Sequence, residues 1–148
     1  MAAADTSRQR SDALVFFGAT GDLAYKKIFP ALQSIARRGK MDFPVIGVAR
    51  GGFTRDKLIE RAKASCAEYG GLHEEGFKIL VEHMHYIDGE YGEESTFSKL
   101  RGELGDAKRP AHYLAIPPSM FPTVVTNLKR SGCAEGGRVI VEKHAEKK

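Results

Sequence analysis

The sequence predicts an α/β domain with a doubly wound, mostly parallel sheet and helices on both of its faces. Short apolar runs alternate along the chain with longer segments of helical periodicity, which is the order that consecutive β-α-β units require. The 148 residues contain no internal repeat and fit one domain of ordinary size. We therefore expect a single domain over residues 13–143, preceded by a disordered leader at 1–12 and followed by a short basic tail at 144–148.

The five predicted strands lie at residues 13–17, 43–49, 85–87, 111–116 and 138–142. The first run is apolar without interruption, which is typical of a strand buried on both faces of a parallel sheet. Because right-handed crossovers bring the carboxyl ends of all parallel strands to one edge, we expect ligands to bind at that edge.

Helices are predicted at residues 22–29, 30–38, 55–69 and 73–83, and further helices after Ser95 and Ser119. Pro30 is costly inside a helix but suits a first turn, which predicts two separate pieces on either side of it. Thr54 is the predicted N-cap of the helix at 55–69, because its hydroxyl can accept an otherwise unpaired amide N–H.

The first strand is followed by a glycine turn and a helix start, and this segment organises the rest of the chain. Gly18 and Gly21 bracket the turn, and Ala24 lies near the place of a third glycine. The free N–H groups and the positive dipole end of a helix N-terminus favour an anion, and glycine lets a pyrophosphate approach the backbone. By this segment alone, an ordinary strand-to-helix turn remains an alternative.

Polar or conformationally special residues follow four of the predicted strands, which is stronger support than any single motif. Residues 18–23 follow the first strand and Arg50 follows the second. Residues 116–118 close a later strand, and Glu142 and Lys143 close the last one. The sequence therefore predicts one ligand site assembled at the carboxyl edge of the sheet.

Arg50 indicates which dinucleotide this site would take. NAD sites usually place a carboxylate after the second strand to bond the ribose 2′-hydroxyl, whereas an arginine there suits the 2′-phosphate of NADP. The strand ends Val48-Ala49-Arg50 with no carboxylate, and a guanidinium can grip a phosphate through two hydrogen bonds. NADP is the predicted cofactor, with an exposed loop arginine as the alternative.

The composition excludes several other classes of function. A net charge of +4 with dispersed Lys and Arg favours an anionic small molecule and does not argue for nucleic acid. No apolar run approaches a membrane span or the core of a signal peptide. Cys66 and Cys133 lack metal or disulfide spacing, and His83 and His85 have no third ligand nearby, so no metal is predicted. We expect a cytoplasmic protein.

Four linked motifs, which together span nearly all of residues 14–143, resemble the coenzyme domain of the glucose-6-phosphate dehydrogenase family. They are Phe17-Gly-Ala-Thr-Gly-Asp-Leu-Ala-Tyr-Lys-Lys27, Gly47-Val-Ala-Arg50, Tyr113-Leu-Ala-Ile-Pro-Pro118 and Arg138-Val-Ile-Val-Glu-Lys143. Their order and spacing match the family, which implies a Rossmann-type fold. The implied activity is the NADP-dependent oxidation of glucose 6-phosphate to its lactone.

The resemblance also implies roles for individual residues. The NADP pyrophosphate would be seated on the glycine turn, formed by Gly18, Ala19, Thr20, Gly21, Asp22 and Leu23. Arg50 would contact the 2′-phosphate, and Glu90 and Tyr91 would border the coenzyme. The nicotinamide side would be lined by Ala115, Ile116 and Pro117, and Lys143 would also contact the coenzyme. The family's two substrate-side lysines fall on Lys27 and Lys143, which would hold glucose 6-phosphate.

The sequence departs from the family after Lys143, where the family has Pro-Phe-Gly and this chain has His144. In the family, a large second domain follows, which carries the catalytic histidine, most of the sugar-phosphate pocket and the dimer interface. We expect that domain to be absent, and so predict no catalytic residue in this chain. Proton transfer worth about 10²- to 10⁴-fold would then be lost, which predicts a chain that is inactive or very weak alone. An uncovered apolar surface would favour self-association.

Two other functions remain open from the sequence. One is a non-catalytic NADP-binding module or truncated remnant that acts with a partner. The other is a small reductase of the short-chain type, which rests on Gly18-Ala-Thr-Gly21 alone. The chain has no Tyr-x-x-x-Lys pair, which weakens the second alternative.

Overall fold

The sheet is five-stranded and parallel throughout, with the strand order β3-β2-β1-β4-β5. The computed structural model describes residues 10–141. The strands are β1 (Ala13–Phe17), β2 (Val45–Ala49), β3 (Met84–Asp88), β4 (Pro110–Leu114) and β5 (Arg138–Val141). The chain moves outward from β1 to β3 and then crosses to the other side of β1. The topological switch point, where such sheets bind ligands, therefore lies between β1 and β4.

Helices cover both faces, as the sequence predicts for a doubly wound domain. They are α1 (Phe29–Arg37), α2 (Arg55–Glu68), α3 (Glu74–His83), α4 (Glu94–Leu104) and α5 (Phe121–Ser131), with a 3₁₀ turn at Pro118–Met120. The first three helices pack on one face, where Phe16 of β1 meets Phe29 edge to face at 5.6 Å. The last two pack on the other face, around Phe17, Phe97 and Leu128.

Most predicted elements are observed, with local differences at their ends. Thr54 caps α2 through its hydroxyl, which accepts the Lys57 amide at 3.2 Å. His73 lies before α3 rather than inside it, because its ring Nδ1 accepts the Gly76 amide and so caps the helix. The helix predicted after Ser95 begins at Glu94, and a 3₁₀ turn precedes the helix predicted after Ser119.

Pro30 lies in the first turn of α1, as predicted, and the helical piece before it is a π-helical turn at Ala24–Ile28 that leads directly into α1. The Phe29 amide bonds to the carbonyl of Ala24, five residues back. Proline has no N–H to continue this pattern to the carbonyl of Tyr25. The buried hydroxyl of Ser65 donates to that carbonyl instead.

The two ends of the described segment differ in how they join the domain. Asp12, assigned by the sequence analysis to the leader, accepts the Lys108 and Arg109 amides at 2.7 Å each. At the other end, Val139 and Val141 of the edge strand β5 are the exposed large apolar residues of the described segment. Within residues 10–141, no helix is long and apolar enough to cross a membrane.

Candidate functional site at the carboxyl edge of the sheet

The glycine turn after β1 is fixed by both neighbouring strands. Gly18 has a φ of +86°, and a Cβ on it would lie 2.1 Å from the carbonyl oxygen of Ala115. Its amide donates to the Val48 carbonyl at 2.9 Å, and the Ala19 amide donates to the same oxygen at 3.2 Å. Glycine is therefore required at position 18 by the fold itself, since the β4 end crosses too close for a side chain.

Gly21 differs from Gly18, because the fold leaves room for a side chain there. A Cβ on Gly21 would meet only the Gly18 carbonyl oxygen, at an ordinary contact distance of 3.4 Å. The Gly21 carbonyl accepts a hydrogen bond from Arg61 at 3.2 Å, and the Arg61 guanidinium lies over the Tyr25 ring. A glycine that packing does not require is consistent with the close approach of a ligand to the backbone.

On one side of the turn, Arg50 follows β2 and faces the segment after β3. Its guanidinium lies 3.4 Å from the Glu90 carboxylate and 5.8 Å from the centroid of the Tyr91 ring. Both members of the ion pair are more than half exposed, so solvent screens the pair and another anion can replace Glu90.

Tyr91 is buried and forms the wall behind Arg50. Its ring packs edge to face on Phe17 at 5.9 Å. Burial raises the pKa of the Tyr91 phenol, while the Gly18 backbone and the charge of Arg50 act against that rise. Asn127 of α5 donates to the Tyr91 carbonyl at 3.0 Å, which holds this residue against the sheet.

On the other side of the turn, a cleft of about 620 Å³ opens between the helix start and the end of β4. It is lined by Gly21, Asp22, Leu23, Lys26, Lys27, Ala115, Ile116, Pro117 and Pro118. The Ala115 amide donates to the Phe17 carbonyl at 3.0 Å, which keeps this wall in register with β1. Two lysines beside apolar walls suit a ligand with an anionic group and a flat or apolar part.

The structure brings together most of the residues that the sequence singled out, in two groups joined by the glycine turn. Arg50, Glu90 and Tyr91 form one group, and the lining of the cleft forms the other. Lys143 lies outside the described residues, as does Glu142. Lys26 and Pro118 also line the cleft. Arg61 was missed because nothing in its local sequence indicates that it reaches Gly21.

A glycine turn at the switch point, with an arginine directly after the next strand, is the arrangement of a dinucleotide-binding domain. Comparisons with known proteins agree with this assignment as a dinucleotide-binding domain. The family model described as "Glucose-6-phosphate dehydrogenase, NAD binding domain" matches residues 15–145. The chain belongs to the glucose-6-phosphate dehydrogenase family, which sets aside the short-chain reductase alternative.

Individual relatives show the same correspondence. Glucose-6-phosphate 1-dehydrogenase 1 of Mycobacterium bovis is 35% identical over 133 residues, which is 90% of this chain and 28% of that protein. The crystal structure of glucose-6-phosphate 1-dehydrogenase from Mycobacterium avium matches with a TM-score of 0.84 and 38% identity, over 88% of this chain and 29% of its own. A glucose-6-phosphate dehydrogenase solved in complex with its substrate glucose-6-phosphate matches with a TM-score of 0.74 and 27% identity, over 88% of this chain and 30% of its own. The chain thus spans under a third of these relatives' length.

Proposed function

We propose that this domain binds NADP across the carboxyl edge of its sheet, with the 2′-phosphate on Arg50 and the nicotinamide in the cleft beside Ala115–Pro117. The observation that carries the proposal is Arg50 itself, which directly follows β2 beside the glycine turn, where an NAD site would have a carboxylate. Its exposed pairing with Glu90 leaves the guanidinium able to exchange one anion for another.

The glycine turn, which lies between Arg50 and the cleft, supports the same orientation of NADP. The pyrophosphate would lie on the turn that contains Gly18, Ala19, Thr20, Gly21, Asp22 and Leu23. Gly21 leaves the backbone accessible there, since the nearest contact of an added Cβ would be at 3.4 Å. From this turn Arg50 lies toward β2 and the cleft lies toward β4, so one dinucleotide can contact both.

The cleft is where the second ligand of the reaction would bind. We propose glucose 6-phosphate, the substrate of the related enzyme, with Lys27 as one partner of its phosphate; Lys143 is the second proposed partner. NADP, when bound, supplies a hydride acceptor for the sugar carbon. The described residues of this chain would then serve to bind and orient the two ligands, and the Ile116 and Pro117 walls would exclude water from the nicotinamide face.

Calorimetric titration of the purified chain with NADP⁺ and NAD⁺ tests the proposal. Arg50→Ala is expected to weaken NADP⁺ binding by about 100-fold, because a charged phosphate contact is worth about 1.5–3 kcal/mol. NAD⁺ binding should change little. Arg38→Ala is the matched control, since Arg38 follows the far end of α1 and its guanidinium contacts Ser34. Equal affinity for both nucleotides in the unchanged chain, or an equal loss in Arg50→Ala, would contradict the proposal.

A further inference from the structure

The loop that carries Arg50 has little packing at its two glycines, while Phe53 at its end packs against the apolar core. It consists of residues 50–53, and Gly51 and Gly52 have φ values of +106° and +80°. A Cβ at either glycine would meet no atom within 4 Å, so both lie in open space. Because glycine has more conformational freedom than other residues, ordering two consecutive glycines costs this loop much conformational entropy. The two glycines themselves therefore contribute little to fixing the shape of the loop.

One carboxylate oxygen provides a restraint on this loop. Asp88 Oδ1 accepts the Gly52 amide and the Phe53 amide, each at 3.1 Å. The Tyr86 hydroxyl lies 2.7 Å from the same oxygen and 3.3 Å from the Ala49 carbonyl. Hydrogen bonds to a charged acceptor are about twice as strong as neutral ones, so three donors on one oxygen make a firm anchor.

Strand register places Asp88 where it can serve this purpose. Asp88 is the last residue of β3 and pairs with Ala49, the residue directly before Arg50. The Gly89 amide donates to the Ala49 carbonyl at 2.9 Å, which closes the junction between the two strand ends. Burial, together with the hydrogen bond to Asp88, raises the pKa of the Tyr86 phenol, so its hydroxyl stays protonated and able to donate.

The end of β3 and the segment after it therefore restrain both the backbone and the side chain around Arg50. Asp88 fixes the backbone that follows Arg50, while Glu90 and Tyr91 contact its guanidinium. We infer that Asp88 is a positioning residue that holds the Arg50 loop in shape for a 2′-phosphate and so sets the preference for NADP over NAD. This inference rests on the proposed function. It differs from that proposal because Asp88 would act through Arg50, with no contact to the coenzyme.

If Asp88 preorganises the loop, its loss should affect NADP⁺ binding alone, because NAD⁺ lacks the 2′-phosphate that Arg50 would bind. Asp88→Ala is expected to weaken NADP⁺ binding by about tenfold and to change NAD⁺ binding by less than about twofold. Asp88→Asn keeps an acceptor oxygen and should fall between Asp88→Ala and the unchanged chain. Asp56→Ala removes the same charge from the first turn of α2 and should leave both affinities unchanged.

The decisive measurement is a double-mutant cycle by calorimetry with NADP⁺ and NAD⁺. If Asp88 acts through Arg50, Asp88→Ala in an Arg50→Ala background has no further effect on NADP⁺ affinity. Additive losses, or equal losses for the two nucleotides, would overturn the inference. If the unchanged chain shows no NADP⁺ preference, the proposed function fails, and this inference fails with it. If the preference exists but Asp88→Ala retains it, only the inference fails.

A second readout needs no nucleotide. Amide hydrogen exchange of Gly52 and Phe53 in the free chain should become at least about tenfold faster in Asp88→Ala, because both amides lose their acceptor. The Gly18 and Gly21 amides, which bond elsewhere, serve as internal controls. Unchanged exchange at Gly52 and Phe53 would show that Asp88 does not hold the loop, and would overturn the inference.

Discussion

The two sides of the glycine turn are built in contrasting ways. On the β2 side, the loop that carries Arg50 is contacted by Asp88 at the end of β3 and by Glu90 and Tyr91 in the segment after it. On the β4 side, a cleft of about 620 Å³ lies open, with two lysines and an apolar wall. Under the proposed function, one side would be preorganised for the 2′-phosphate, whereas the other has room for a bulky ligand. A dinucleotide anchored at one end, with its reactive end free to meet a substrate, needs that contrast.

Gly18 joins the two sides, so its replacement is expected to have the largest effect. Gly18→Ala would place a Cβ 2.1 Å from the Ala115 carbonyl oxygen and strain a backbone whose φ is +86°. We expect the free energy of unfolding to fall by about 3 kcal/mol or more, which is a large part of the stability of a typical domain. Urea denaturation followed by circular dichroism measures this. A loss below about 1 kcal/mol would show that the two sides are less tightly joined than the contacts indicate.

Gly21→Ala is the matched change on the cleft side, and it should affect binding rather than stability. Its Cβ would meet only an ordinary contact at 3.4 Å. We expect the free energy of unfolding to change by less than about 1 kcal/mol, while both NADP⁺ and NAD⁺ bind about tenfold or more weakly, because the methyl group would keep the pyrophosphate from the backbone. Retained affinity for both nucleotides would mean that the pyrophosphate does not lie on this turn.

The smallest expected effect concerns pH and lies in β4, beneath the cleft side. His112 is fully buried; its Nε2 lies 2.8 Å from the Cys133 carbonyl, and its Nδ1 has no hydrogen-bond partner among the described residues. Burial lowers the pKa of His112, and the bond to Cys133 opposes this only in part. The unfolded chain therefore takes up the proton first as the pH falls below about 6.5. The contribution of neutral His112 to the free energy of unfolding is therefore complete above that pH and declines below it. The decline is at most about 1.4 kcal/mol per pH unit for one proton.

Denaturation at several pH values between 5 and 8 tests this, with His112→Gln as the variant that cannot titrate. The number of protons taken up on unfolding, obtained from the slope of the free energy of unfolding against pH, should be smaller in His112→Gln by up to one. His83→Gln is the control, because His83 is half-buried and its Nδ1 bonds within its own helix, to Ile79. If His112→Gln retains the full pH dependence, the buried histidine is not its source.

Much of the fold could be predicted from local pattern. β1 was placed at its observed bounds, and the order of strands and helices follows from alternating apolar runs and helical periodicity. The position of Arg50 beside the glycine turn follows from topology alone, because parallel strands end at one edge. These features depend on sequence neighbours or on general rules of connection, so one sequence is enough to find them.

What sequence reasoning missed depends on contacts between distant segments. The Tyr25 carbonyl, which Pro30 cannot bond for lack of an N–H, accepts a hydrogen bond from Ser65, 40 residues away. The requirement for glycine at position 18 comes from Ala115, and the restraint on the Arg50 loop comes from Asp88. No local pattern indicates any of these pairs. They become visible only when the strands are in register.

The most direct test of the central claim, that one coenzyme spans both sides of the turn, is an amide NMR titration of the chain with NADP⁺ and with 2′,5′-ADP. NADP⁺ should shift the amides of Gly51–Phe53 on one side and those of Leu23, Ala115 and Ile116 on the other. The fragment 2′,5′-ADP, which has no nicotinamide half, should shift the first set and leave Ala115 and Ile116 unchanged. If NADP⁺ shifts neither set, or if its changes lie on another surface, such as the groove between α4 and α5, the account is wrong.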